Sequence, residues 1–481
     1  VTTSAARAGG TARETAPGAP EETVPGAPEE TVPGPAAGTA EQTGSAAVRD
    51  TAPVLDGLEA LLRPLVTFYL DLHRNPELSG QESRTAARFA DWLRQESYEV
   101  TGGVGGHGVV GVLRNGEGPR VMLRAELDAL PVRERTGLPY ASDGPAMHAC
   151  GHDLHAAALA GAASLLARGR RSWRGTVVIV GQPAEETLSG AEAMLRDGLY
   201  ERFGRPGTVL AQHSAPLPAG LVAHAAEHTP VLAGSVSMDV VIHGRGGHAG
   251  APHLAVDPLV TAAALVMRLQ GLTARESAPA EQAVLTVGSL HAGSGSNVIA
   301  DRATLGLTVR ALSQPALDRL EKAVERTVLA ESAASGCPRE AETRVVSRSP
   351  VLLTDPAATA DVVRAHRELF GQERVSGWRP AMAAEDFPLY AEAGRPLHGM
   401  SGIASVYWML GVTGPREYAS APGATAAEKL AALPSNHSPH FAPHVRSGLP
   451  AGVRAMTAAA LARLGAPGHG PAAPAAGRPA P

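Results

Sequence analysis

Four groups of polar residues each follow or lie beside a short apolar run, and their types suit a transition-metal site. Residues 121–125 (VMLRA) lead into Glu126-Leu127-Asp128, and the loop beyond carries His148, Cys150, His152 and Asp153. Residues 176–182 (TVVIVGQ) lead to the Glu185-Glu186 pair, and 208–212 (TVLAQ) lead to His213. Imidazole and thiolate give affinity for a transition metal, and a carboxylate completes the shell. Two adjacent carboxylates after an apolar strand repel each other unless a cation is near or one keeps its proton. Taken singly, each group has a plainer reading: a cysteine as a small buried hydrophobe, a histidine as a core or surface residue, a glutamate pair as a solvated turn. What joins them is their shared position past strand ends, where open α/β sheets bind ligands.

The elements that must position these residues show in the periodicity. Leu58, Leu61, Leu62, Leu65 and Phe68 recur at helical spacing, and Glu82 to Glu96 predicts a second helix. Runs at 109–113, 121–125, 176–182 and 208–213 predict strands, with a helix over 152–169. This alternation predicts an α/β domain with a mixed, largely parallel sheet. The middle of the chain has its own pattern. Residues 235–244 alternate, with Val236, Met238, Val240 and Ile242 on one face. Asp257-Pro258 opens a helix as N-cap and first-turn proline. Strands at 283–291 and 303–312, a helix from Ser313 to Gly336 and a strand at 340–347 complete a β-α-β-β-α-β order, the ferredoxin-like α+β arrangement. The first pattern then resumes, with helices near 355–370, 385–393 and 445–464 and a strand at 406–410. The expected division is one α/β domain in two parts, 52–230 and 349–465, interrupted by an insert at 231–348.

Composition narrows the function. The chain of 481 residues has 42 basic and 47 acidic side chains, a balance that points to neither a nucleic-acid nor a membrane partner. Two cysteines, Cys150 and Cys337, exclude a disulfide framework. Aromatic residues are 4%, too few for rows of stacked bases. Residues 1–51 carry a tandem octapeptide, GAPEETVP, at 18–25 and 26–33. That stretch, which lacks the apolar run of a signal peptide, and the Pro- and Ala-rich 466–481 are expected to be disordered.

Several motifs now read together. M-H-A-C-G-H-D at 147–153, L-R-A-E-L-D-A-L-P at 123–131 and Q-P-A-E-E at 182–186 resemble the amidohydrolase branch of the aminoacylase and carboxypeptidase family of dinuclear metallopeptidases. That branch holds N-acyl-amino-acid amidohydrolases, hippurate hydrolases and auxin-conjugate hydrolases. L-H-R-N-P-E-L-S (72–79), G-R-G-G-H-A-G-A-P-H (244–253), S-N-V-I-A-D (296–301), A-E-D-F (384–387) and H-S-P-H-F (437–441) follow in family order. The resemblance implies a catalytic domain with two divalent metal ions and a ferredoxin-like lid that also dimerises. Implied ligands are Cys150, shared between the ions, with His152, Glu186, His213 and His437. Manganese or zinc is the foremost expectation, and cobalt and nickel also occur in the family. Glu185 is the implied general base, and Asp128 would orient a ligand imidazole. His248 on the lid would reach a facing active site and stabilise the oxyanion, while Asn297 and Arg310 would hold the substrate carboxylate. His148 and His155 are read as supporting or packing residues, His253, His440 and His444 as loop residues, and Cys337 as an ordinary thiol. Glu385 and Asp386 are expected to cap a helix and to orient His437 or the metal shell.

The sequence departs from the family pattern at four places. Glu126-Leu127-Asp128 stands for Asp-Met-Asp, Thr187 for a glycine and Ala300 for a proline. Residues 400–435 diverge and run into a Gly-, Ala- and Pro-rich insertion at 418–436, expected to border the acyl pocket. The expected reaction is hydrolysis of N-acyl or N-aroyl amino acids to a carboxylic acid and a free amino acid, in the cytoplasm, by a homodimer or higher homo-oligomer. A dipeptidase or carboxypeptidase of the same family is the alternative, and a non-catalytic small-molecule binder the remote one.

Overall fold

The inner strands carry unbroken apolar runs because both of their faces are covered. In the computed structural model, which describes residues 51–466, six strands precede the insert. They are β1 (Glu99–Val104), β2 (Gly108–Asn115), β3 (Arg120–Glu126), β4 (Gly175–Gln182), β5 (Thr208–Pro218) and β6 (Val222–Ala225). The insert contributes β7 (Gly234–His243), β8 (Ala283–Ala292), β9 (Arg302–Ala311) and β10 (Glu342–Ser349), and β11 (Val375–Trp378) and β12 (Ala404–Thr413) follow. The larger sheet runs β1-β2-β4-β3-β5-β12-β6-β11. Four of its seven pairings are parallel, so the sheet is mixed with a parallel centre. The expected disorder of 1–51 and 466–481 falls, Thr51 and Ala466 apart, outside the described residues.

Side chains leave these strands alternately. In β4, Val177 and Ile179 join the core on one face, and Val178 and Val180 the core on the other. The first core is closed by α1 (Leu58–Arg74), α2 (Ser83–Gln95) and α3 (His152–Arg168), together with the later α6 (Pro356–Phe370) and α7 (Val445–Arg463); α4 (Pro258–Gln270) and α5 (Gln314–Ala334) belong to the insert. Helix α3 is buried from His152 to Leu166, and its alanines let it sit tightly between sheet and helices. At Gly161 a Cβ would lie 2.6 Å from Val453 Cγ2, so α3 and α7 approach too closely there for any side chain.

The insert forms its own sheet, β10-β7-β9-β8, antiparallel throughout, with a separate core shared by α4 and α5. This is the ferredoxin-like arrangement that the β-α-β-β-α-β order predicts. Both helix starts follow their capping residues: Asp257 accepts from the Leu259 N–H and Ser313 from the Ala316 N–H.

Two buried polar networks tie distant segments to the strand ends. Arg124 of β3 is fully buried and donates to Gln182 Oε1 (2.8 Å), Glu385 Oε1 (2.8 Å) and Asp386 Oδ1 (2.9 Å), and it pairs with Glu126. It therefore joins the segments before and after the insert. The helix expected at 385–393 is two short 3₁₀ turns instead, Phe387–Tyr390 and Glu392–Gly394. Pro388 brings no N–H, and the preceding carboxylates turn to Arg124. Asp386 also accepts from the Ala191 N–H (2.9 Å), so it caps the start of a different helix, Gly190–Arg196. In the second network His73 of α1 contacts Asp153 of α3 (2.6 Å) and Glu134 (3.2 Å). Burial works against a charged imidazole there, but the two carboxylates prevail and hold its pKa at about 9.

Removing the guanidinium in Arg124→Met should cost about 3–5 kcal/mol, since three carboxylates lose their counter-charge; urea unfolding measures it. The His73 network should act in the opposite pH direction from ordinary acid lability. Its folded pKa is raised above 6.5, so its contribution is full below about 6.5 and lost as the pH rises through 9. The expected loss in metal-free protein is about 3 kcal/mol, and His73→Gln should abolish that pH dependence.

Candidate metal centre

The loop between β3 and α3, the turn after β4, strand β5 and the segment around His437 bring the polar groups together. Gly151 has φ 83°, a left-handed conformation that lets the chain reverse between Cys150 and His152. A Cβ there would meet Ser214 Oγ at 2.6 Å. After β4, the left-handed residues are Ala184 (φ 51°) and Leu188 (φ 54°), not Thr187. Thr187 needs no glycine: its hydroxyl donates to the Ala184 carbonyl and lies 2.9 Å from Ser189 Oγ. His437 is also left-handed (φ 70°), pinned by its N–H to the Ala149 carbonyl (2.8 Å). Three strained non-glycine residues in these few loops mark a place where geometry outranks local stability. His213 lies within a strand, not after one, because β5 continues beside β12 to Pro218.

The five implied ligands form a contiguous set. Cys150 Sγ is 3.4 Å from His213 Nε2, and His437 Nε2 is 3.4 Å from Glu186 Oε2. His152 Nε2 lies 3.8 Å from Glu186 Oε1 and 3.9 Å from Glu185 Oε2. Donor atoms of Cys150, His152 and Glu186 all lie within 4.8 Å of one another. His152 Nδ1 is 2.9 Å from the Asp128 carbonyl and 3.2 Å from Asp128 Oδ1, and His213 Nδ1 is 2.9 Å from the Ser214 carbonyl. Carbonyl oxygens only accept, so both Nδ1 atoms carry hydrogen and both Nε2 lone pairs face the cluster. Asp128 Oδ2 also accepts from the Glu186 N–H (2.9 Å) and from Ser79 (2.7 Å).

These residues fit a divalent cation on their own chemistry. His152 Nε2 and Glu186 Oε1 are buried without hydrogen-bond partners. Burial, with Asp128 and Glu385 adding to it, pushes the Glu186 carboxyl up to about 7. Burial, then Glu186, pushes the Cys150 thiol up to about 12. Burial, then Glu385 and Glu186, holds Glu185 well above the usual carboxylate range. Burial and His155 hold His213 neutral, at about 3. A neutral imidazole is ready to ligate, and a bound cation reverses each of the other shifts.

The neighbouring acids and His155 are already engaged, whereas His148 is not. His155 lies 2.8 Å from Glu126 and accepts from the Ser214 N–H (2.8 Å), which uses both ring nitrogens. Glu126, longer than the family aspartate, thus spans from Arg124 to His155. His148 is buried with both nitrogens unpartnered, and burial lowers it to about 4. Glu385 and Asp386 turn to Arg124 and do not touch His437; Glu385 also accepts from Tyr407 (3.0 Å).

A cavity of about 250 Å³ opens on the cluster, lined by Cys150, Glu185, Glu186, His213, His437 and Arg310. Trp378, Leu232, Leu188 and Met409 give it an apolar wall. Arg310 donates to the Met382 carbonyl (2.7 Å). Of the 400–436 segment, Met409 and Asn436, the last residue of the divergent insertion, line this cavity. His248 and Asn297 are exposed on the insert, close together through the Ala249 N–H to Asn297 carbonyl bond, and neither lines the cavity. Sequence reasoning missed Arg124 and Asn436. Arg124 left a signal, one charge inside an apolar strand. Asn436, which donates to the carbonyls of Cys150 (3.3 Å) and Ser214 (3.2 Å), left only its place beside His437.

The chain matches the Peptidase family M20/M25/M40 over residues 122–430. It is 36% identical to the hippurate hydrolase of Campylobacter jejuni over 324 residues, 67% of this chain and 83% of that protein. It is 34% identical to the N-acetylcysteine deacetylase of Bacillus subtilis over 337 residues, 68% of this chain and 85% of that one. Among solved structures, the Bacillus subtilis YXEP protein, described as a dinuclear metal binding peptidase from M20 family, superposes with a TM-score of 0.64 at 26% identity, covering 84% of this chain and 99% of that chain. With its strand-end ligand cluster and this breadth of similarity, the chain belongs to the M20/M25/M40 peptidase family, within its amidohydrolase branch.

Proposed function

We propose that the protein is a metal-dependent amidohydrolase that cleaves the amide bond of N-acyl or N-aroyl amino acids, releasing a carboxylic acid and a free amino acid. The observation that carries this reading is the Glu185-Glu186 pair. One carboxylate meets the histidine cluster, the other lines the same cavity, and an apolar wall and a guanidinium complete that cavity. Cys150, His152, Glu186, His213 and His437 would hold two divalent ions, manganese or zinc in the first place and cobalt or nickel as alternatives. Such ions supply Lewis acidity, which polarises the amide carbonyl and acidifies water.

The remaining work falls to the chain's own side chains. Glu185, on the cavity wall 3.9 Å from His152 Nε2, takes a proton from the attacking water and delivers it to the leaving amine. Asp128 fixes the ring of His152 through Nδ1. Arg310 spends one N–H on Met382 and offers the rest of its fork to a substrate carboxylate. The apolar wall excludes water from the acyl group. His248 and Asn297 have no part in their own chain's cavity, and the reading assigns them to the site of a facing subunit. It accordingly keeps 231–348 as a lid and dimerisation domain between the catalytic parts 52–230 and 349–465, with a homodimer or higher homo-oligomer working in the cytoplasm.

A panel of N-acetyl, N-benzoyl and longer N-acyl amino acids, with dipeptides beside them, tests the reaction on protein reloaded separately with manganese, zinc, cobalt and nickel. Metal-dependent release of free amino acid from the acylated substrates is expected; preference for dipeptides would move the assignment to a peptidase. Glu185→Gln should keep two ions per chain by elemental analysis and lose roughly 10²–10⁴-fold in rate. Undiminished turnover in that variant would remove Glu185 from the mechanism.

A further inference from the structure

A second, larger cleft of about 1150 Å³ lies away from the metal ligands, between α1, the start of α7 and the short helix Pro415–Ser420. Arg63, Arg416 and Arg446 line it, one from each wall. All three are exposed, and none has a carboxylate within ion-pair distance among the described residues. By contrast, the nearby Arg84 and Arg88 are both taken up by Asp71. The one acid lining the cleft, Glu417, accepts from the Gly414 N–H (3.2 Å) and pairs with none of the three. His444 lines the same space and has a buried Nδ1 without a partner. Leu62, Val66 and Tyr140 supply an apolar side. Arg416 belongs to the segment that departs from the family pattern, so part of this cleft is particular to this chain.

We propose that this cleft binds a phosphorylated small molecule through Arg63, Arg416 and Arg446. Three guanidinium groups on separate walls ask for a ligand with more than one negative charge, and their planar forks match phosphate oxygens. A monocarboxylate would satisfy one wall and leave the others unpaired. The apolar side can take an uncharged portion such as a nucleoside. The segment from His437 to His444 connects this cleft to the metal cluster. It is braced by His440 Nδ1 at 2.8 Å from the Arg135 carbonyl and by the His444 N–H on the Val412 carbonyl (2.7 Å). A ligand here would therefore bear on the loop that presents His437.

The test is calorimetric titration of the metal-loaded full chain with inorganic pyrophosphate, ADP and benzoate. Pyrophosphate and ADP should bind and weaken as salt rises, and benzoate should not bind. Affinity should fall about tenfold for each arginine removed in Arg416→Ala and Arg446→Ala. Both residues are exposed, and an unchanged thermal midpoint checks that the variants fold. Tighter binding of ADP than of pyrophosphate assigns a nucleotide; equal binding assigns a free phosphate compound. The proposal is overturned by no heat at millimolar probe. It is equally overturned by binding that survives in the double variant, which would be chelation of the metals, or by binding that is lost in Arg310→Ala, which would place the phosphate in the catalytic cavity.

Discussion

One buried guanidinium sets the charge balance of the strand-end layer. Arg124 meets Glu126, Glu385 and Asp386 in a space sealed from water, where an uncompensated carboxylate is costly. Glu185, Glu186 and Cys150 line the cavity, and none of them takes one of the Arg124 hydrogen bonds. Glu126, Glu385 and Asp386 are thus held by a side chain that never loses its charge. On the proposed reading, Glu185 and Glu186 are compensated by bound metal ions instead. The same arginine orients Glu385 and Asp386, whose carboxylates also lie within 4.8 Å of that of Glu185.

Much of this was legible in the sequence, for physical reasons. Central strands covered on both faces need continuous apolar runs, so β3, β4 and β5 announce themselves. The insert's strands are half-buried and alternate, and its helices begin at side-chain caps, so its order could be read directly. Ligand types past strand ends were visible for the same reason: charge and imidazole are conspicuous beside valine and isoleucine. What stayed hidden depends on long-range pairing. Nothing near 385–393 shows that its two acids answer a residue more than 250 positions away, and local periodicity therefore suggested a helix. Thr187 in place of the family glycine signals that the turn after Glu186 differs, but not where its strain falls. The chain places the strain on Ala184 and Leu188, where neighbouring backbone bonds enforce it. Of the divergent 400–436 region, Met409 and Asn436 reach the cavity, while residues within 417–434 line a separate pocket with Val412 and Phe441.

The cavity itself combines two environments that are hard to place side by side. One wall holds anionic ligand atoms, and the other is Trp378, Leu232, Leu188 and Met409. The tryptophan is fixed by its indole N–H on the Val231 carbonyl (3.0 Å), so the apolar wall is rigid as well as dry. Attraction between ions and ligand atoms is stronger against such a wall than in open solvent.

His437 sits 287 residues after Cys150, on the far side of the insert. A ribosome releasing this chain exposes the cysteine, His152, the glutamate pair and His213 long before the last ligand emerges. Through all of that interval the early ligands sit without Glu385 and Asp386 on Arg124, and without the Asn436 bond that steadies the Cys150 turn. If the proposed ligand set holds, metal capture in a finished geometry is an event of late synthesis, and a truncated product would present Cys150, His152, Glu186 and His213 without His437.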